Sequence, residues 1–113
     1  MATKKTEPME ILRGTTPSIV LVVKNNIDLS QASQVWMYIY QKKQLKVDKL
    51  IQDVTIDVVN KTITLRLEQE DTLNLKSGEA IFQVRLLTND GNAYGTVGAE
   101  VEILEAYKDG VIS

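Results

Sequence analysis

A chain of 113 residues is long enough for one domain with a single apolar core, burying roughly two-thirds of the surface that the unfolded form exposes. It contains no Cys and no His, so disulfides are excluded and the usual ingredients of zinc sites, nucleophile-base pairs and neutral-pH proton shuttles are missing, which argues against an enzyme. The formal charge of −2, from 13 basic and 15 acidic residues mixed along the chain, leaves no electrostatic footprint for nucleic acid. The longest apolar run, Ile19 to Val23, is too short to cross a membrane, and the segment from Met1 to Pro8 lacks the apolar stretch of a secretory signal. The expectation is a protein kept in the cytoplasm until assembly or lysis, with no cofactor, no nucleic acid and no membrane as partner.

Residues 1–8 are polar and end at Pro8, the pattern of a flexible amino-terminal arm. Met9 to Arg13 reads as a short edge strand before the turn Gly14-Thr15-Thr16-Pro17, in which Pro17 biases Thr16 towards an extended backbone. Ser18 to Lys24 is a strand, too short and too β-branched for a helix. Asn25-Asn26 ends it, and Ile27 to Ser33 is a loop with a turn of helix in which Ile27 and Leu29 plug one end of the core.

Gln34 to Lys43 is a strand with two unlike faces: Val35, Met37 and Ile39 are aliphatic, whereas Trp36, Tyr38 and Tyr40 are aromatic. The aromatics carry polar groups and the aliphatics do not, so the aliphatic stripe is assigned to the core and the aromatic stripe is left partly covered. The basic cluster Gln41-Lys42-Lys43-Gln44-Leu45-Lys46 fits a solvated strand end or hairpin tip. Gln44 to Ile51 pairs back, Asp53 to Val59 follows, and Asn60-Lys61 is a two-residue turn into Thr62 to Glu68. In that hairpin Ile63, Leu65 and Leu67 point inward and Val54, Ile56 and Val58 match them.

Gln69 to Leu75 breaks the alternation and reads as a single helical turn, and Lys76-Ser77-Gly78 leads into the longest strand, with Ala80, Phe82, Val84 and Leu86 on its apolar face. Asn89-Asp90-Gly91-Asn92 is hairpin chemistry, with Gly91 able to take a positive φ. On the return strand Val97, Ala99, Val101 and Ile103 face one way and Thr96, Gly98, Glu100 and Glu102 the other. The whole predicts an all-β chain, an antiparallel immunoglobulin-like β-sandwich of about seven strands over residues 9–106, followed by a carboxy-terminal tail, 107–113.

The blocks Ile11-Leu12-Arg13-Gly14-Thr15-Thr16-Pro17, Leu65-x-Leu67-x-Gln69-Glu70-x-Thr72-Leu73 with Gly78, Val84-Arg85-Leu86-Leu87-Thr88-x-Asp90-Gly91 and Lys108-Asp109-Gly110-Val111-Ile112 carry a resemblance. Together they resemble small β-sandwich proteins from the tail and baseplate gene region of phages and prophages of Gram-positive bacteria. They are similar also to the amino-terminal domain of some upper-baseplate proteins. The resemblance implies a virion structural or accessory protein that works by binding other virion proteins, held in the host cytoplasm before assembly and in the virion afterwards. It supplies no catalytic residues. Separately, the apolar run Ile19 to Val23 and the unguarded Val111 and Ile112 suggest association through sheet edges or terminal arms, as a homo-oligomer or docked onto one.

Other candidates read as ordinary structure. Asp48, Asp53 and Asp57 lack the spacing and central Gly of a calcium loop. Glu68, Glu70 and Asp71 sit together on a turn, not across a glycosidase cleft. Gly91, Gly95 and Gly98 precede no helix and so form no phosphate loop. The candidate partner surface is therefore Trp36, Tyr38 and Tyr40 with the terminal Val111 and Ile112. The aromatic stripe has two readings, half-buried cover for the core or an exposed patch for a protein or a sugar. The second makes a carbohydrate-binding module of the same architecture the alternative function.

Overall fold

A computed structural model describes residues 9–24, 26–96, 98–106 and 110–112. The expected arm over 1–8 lies outside the described residues, as do 107–109 and 113 of the expected tail. The elements are β1 (Met9–Leu12), β2 (Ser18–Val22), β3 (Ala32–Gln41), β4 (Gln44–Leu50), β5 (Val54–Asp57), β6 (Thr62–Arg66), the helical turn α1 (Gln69–Leu73), β7 (Gly78–Thr88), β8 (Ala93–Gly95) and β9 (Ala99–Leu104). One sheet has six strands, in the order β1-β9-β7-β3-β4 with β8 also on β7, and the other has three, in the order β2-β6-β5. This is the sandwich predicted from the strand pattern, with the strand order of immunoglobulin-like folds.

Two features depart from that reading. Nine strands form among the described residues because β1 is a separate edge strand and the return strand is divided into β8 and β9. The larger sheet is mixed, because β1 runs parallel to β9, with Met9 opposite Val101 and Leu12 opposite Leu104. After β1 the chain crosses to the other sheet to become β2, so no hairpin forces β1 to lie antiparallel to its neighbour.

The core forms where the two inner faces meet. Val35, Met37 and Ile39 of β3, Ala80, Phe82, Val84 and Leu86 of β7, and Val101 and Ile103 of β9 face Ile19 of β2 and Ile63 and Leu65 of β6. Leu29 is buried and Ile27 is packed against the same cluster at one end, as their spacing predicts. With no disulfide available, cohesion rests on this packing, each fully buried aliphatic side chain contributing about 1.5–3 kcal/mol relative to exposure.

Two polar residues continue the inward stripes. Gln41 follows Ile39 in parity and is buried, and its side-chain amide and carbonyl satisfy the carbonyl and N–H of Lys76. Thr88 follows Leu86, is likewise buried, and hydrogen-bonds Asp90 in the hairpin turn.

The β5–β6 connection differs from the two-residue turn read in the sequence. Asp57 pairs with Thr62, so the turn is Val58-Val59-Asn60-Lys61, and Val58 and Val59 are exposed instead of matching the inward row. The Asp57 carboxylate explains the choice: it accepts both the N–H and the side-chain amide of Asn60 and so closes a longer turn.

The return strand carries a bulge. Arg85 pairs with Gly95 and Phe82 with Ala99, so the register against β7 shifts by one residue between the two pairs. Thr96 bridges the gap: its N–H donates to the Val84 carbonyl at 2.9 Å, and its hydroxyl accepts from the Val84 N–H at 3.0 Å. Of the row expected to face inward, Val101 and Ile103 are buried and Val97 lies outside the described residues, whereas Ala99 is exposed although it stands opposite Phe82.

Candidate functional site

Alternation along β3 puts Val35, Met37 and Ile39 in the core and therefore Trp36, Tyr38 and Tyr40 on the outer face of the six-stranded sheet. Trp36 and Tyr38 are half-buried, and Tyr40 is 41% exposed. The cross-strand neighbours follow from the register: Trp36 lies between Leu50 and Arg85, Tyr38 between Asp48 and Gln83, and Tyr40 between Leu45 and Ile81. The stripe thus lies on an outer sheet face, one strand in from the β4 edge, and among the described residues it is covered only in part by the side chains beside it.

Its geometry is fixed by hydrogen bonds. The Tyr38 hydroxyl donates to Gln83 Oε1 at 2.8 Å, and Gln83 Nε2 donates to the Thr96 carbonyl at 2.8 Å, so the strand bulge and the aromatic stripe are linked. Tyr38 and Tyr40 meet edge to face, with ring centroids 5.6 Å apart and planes at 73°. Shallow depressions lie on either side. One of about 400 Å³ runs along Trp36, Asp48 and Arg85, and one of about 740 Å³ runs along Tyr40, Ile81 and Glu79.

Val111 and Ile112 are also exposed, but the structure does not bring them to the aromatic stripe, since neither depression is lined by them. The tail instead docks on α1. The Ile112 N–H donates to Gln69 Oε1 at 2.7 Å, and Gln69 Nε2 donates to the Ile112 carbonyl at 2.9 Å. Both side chains are left pointing to solvent by a backbone that is held.

At the same end of the molecule the turn after β1 is clasped to α1, an arrangement not seen in the sequence. Arg13 Nε donates to the Leu75 carbonyl at 2.7 Å and Nη2 to the Leu73 carbonyl at 3.1 Å, while Nη1 pairs with Glu105 at 2.7 Å. A cation on the last carbonyls of a helix is favourable, even for one turn. The Gly14 N–H donates to the hydroxyl of fully buried Thr72 at 2.9 Å. Gly14 has φ +80°, a backbone that glycine adopts without strain. The only advance signal was Thr72 and Arg13 lying within blocks that also carry the family resemblance.

The acidic residues do structural work. Asp53 accepts the Leu50 N–H, Asp71 accepts the Glu68 N–H at the start of α1 and pairs with Lys49 at 3.0 Å, and Asp57 closes its turn. Among the described residues no three His, Cys, Asp or Glu side chains are placed to hold a metal ion. Asp90, Asp57 and Asp28 are held below the ordinary carboxylate value. The causes are the Thr88 hydroxyl and Asn92 N–H for Asp90, the Asn60 N–H and amide for Asp57, and the Ser30 hydroxyl and N–H for Asp28. Among the described residues no helix is long and apolar enough to cross a membrane.

No family model matches the chain, and no curated protein sequence does. Among solved structures it is similar to the crystal structure of CopC from Methylosinus trichosporium OB3b, with 13% sequence identity and a TM-score of 0.57, over 92% of this chain and 89% of that one. At that identity the likeness bears on the fold alone, and it agrees with the β-sandwich.

Proposed function

We propose that this is a non-enzymatic structural or accessory protein of a phage or prophage virion, from the tail or baseplate region, that works by assembling with other virion proteins and with itself. The observation that carries the reading is the clasp. Three of the blocks that bear the resemblance meet in it: Arg13 and Gly14 bind Leu73, Leu75 and Thr72, and Gln69 of the same α1 binds Ile112. Residues scattered over the sequence therefore share one structural task, which favours a common architecture over chance likeness of separate turns. The composition supports the same reading, because a chain without His or Cys lacks the commonest general base and the most reactive nucleophile of enzymes.

The aromatic face is one such surface, and a carbohydrate-binding module is the alternative use for it. The edge-to-face setting of Tyr38 and Tyr40 weighs against that use, since two rings at such an angle do not form a flat platform for successive sugar rings. A protein partner, which meets aromatics from several directions, suits the face better.

The test is an in-frame deletion of the coding sequence, with particles then examined by electron microscopy. Incomplete or absent tails, restored by supplying the gene in trans, are expected. Normal infectious particles together with quenching of Trp36 fluorescence by a cell-wall glycan would favour the carbohydrate reading.

A further inference from the structure

Sheet edges are where a sandwich pairs with another chain unless they are blunted, and here the edges differ. β4 carries Lys46, Asp48 and Lys49 and a register break opposite Tyr40; β5 is four residues bounded by Asp53 and Asp57; β1 is four residues with Glu10 in it; β8 is three residues ending in Gly95. Among the described residues β2 has no such guard. Ser18-Ile19-Val20-Leu21-Val22 is uncharged, and Val20 and Val22 are 56% and 57% exposed.

Among the described residues the register fixes which backbone groups of β2 are left unpaired. Ile19 pairs with Leu65 and Leu21 with Ile63, the Pro17 carbonyl accepts from Leu67 N–H, and Val23 N–H donates to Lys61. Residues 17, 19, 21 and 23 therefore turn their backbone groups to β6, and Ser18, Val20 and Val22 turn theirs to the open edge.

We propose that β2 pairs antiparallel with β2 of a second copy about a two-fold axis at Val20, joining the two small sheets into one. In this register Val20 faces Val20 and Ser18 faces Val22, and every free N–H and C=O of the edge finds its partner in one alignment. Lys24 then stands opposite Thr16, so no like charges meet across the junction. The exposed valines gather on one face around the axis, and Leu21, half-buried in the single copy, comes to lie beside Ile19 of the second. A self-complementary, uncharged edge of this kind admits a second copy with no clash of charge, and a contact this short gives a concentration-dependent dimer, not a permanent one. The proposal gives the assembly reading a specific surface, and rests on it only in taking the chain to act through contacts with other chains.

Sedimentation velocity of the full chain across a wide concentration range should show a monomer–dimer equilibrium. Val20→Lys, which sets two ammonium groups face to face at the axis, should weaken it by at least about tenfold with the unfolding midpoint unchanged, because position 20 is solvent-exposed. The chain has no Cys, so Val20→Cys is a clean second probe. Facing Cα atoms in such a hydrogen-bonded pair are about 5.5 Å apart, with Cβ atoms wider than an unstrained disulfide spans, so a short bis-maleimide linker should give a covalent dimer, which Val59→Cys on the β5–β6 turn should not. A monomer at every concentration with no V20C cross-link overturns the proposal. A dimer untouched by V20K and not cross-linked by V20C also overturns it, while leaving assembly through another surface standing.

Discussion

The Thr72 hydroxyl sits between Gly14 and Thr15, accepting the N–H of the first at 2.9 Å and lying 2.9 Å from the carbonyl of the second. It thereby ties α1 to the turn that carries the chain from one sheet to the other. One buried hydroxyl satisfies a donor and an acceptor that a tight turn cannot pair internally. Thr72→Val keeps the shape and removes both bonds, and is expected to cost about 1–3 kcal/mol. Thr72→Ser, which keeps the hydroxyl, should cost less. Denaturant midpoints for the two variants check this, and equal losses would show that packing, not hydrogen bonding, holds the clasp.

Phe82 stands between Ile39 and Ala99 on the inner face of the larger sheet and is 5% exposed. Phe82→Ala should cost about 3–5 kcal/mol, a large part of a small domain's stability. A midpoint equal to wild type would remove Phe82 from the core.

Gly91 has φ +86° in the β7–β8 hairpin, and a Cβ built there would meet nothing within 4 Å. Any loss in Gly91→Ala is therefore backbone strain alone, about 1 kcal/mol. Gly91→Asn, which tolerates this conformation better, should lose less. If the Ala variant is as stable as wild type, the turn does not hold the hairpin in register.

Asp90, Asp57 and Asp28 are each held below their ordinary value of 3.8 by hydrogen bonds to the ionised form. A carboxylate whose folded value is depressed contributes stability that is present above its unfolded value and lost as pH falls through the folded one. Equilibrium unfolding should therefore show constant stability from these groups near neutral pH and a decline on acidification below about pH 4. Asp90→Asn should make that decline shallower. An unchanged acid slope in this variant would show that the Thr88–Asp90 bond contributes nothing measurable.

Local pattern made much of the fold legible. Alternation in Val35-Met37-Ile39 and in Ala80-Phe82-Val84-Leu86 depends only on the period of a strand, so it survived into the structure unchanged. What was missed depended on partners distant in sequence or on a side chain competing with backbone. Gln41 was read as part of a solvated tip because its partner, Lys76, lies across the fold. The two-residue turn at Asn60-Lys61 gave way because Asp57 captures Asn60. The bulge at Thr96 was hidden because a hydroxyl stands in for a carbonyl, which no alternation pattern records. Within the candidate surface, the outward placement of Trp36, Tyr38 and Tyr40 was readable, whereas the docking of Ile112 on Gln69 was not, since nothing local joins them.

The proposed function makes this chain a component of an assembled particle. Its most direct test is quantitative mass spectrometry of gradient-purified particles from cells that encode the chain. The protein is expected in the particle fraction at a fixed ratio to the tail proteins. Its absence from particles, with all of it left in the soluble lysate, would overturn the proposed function.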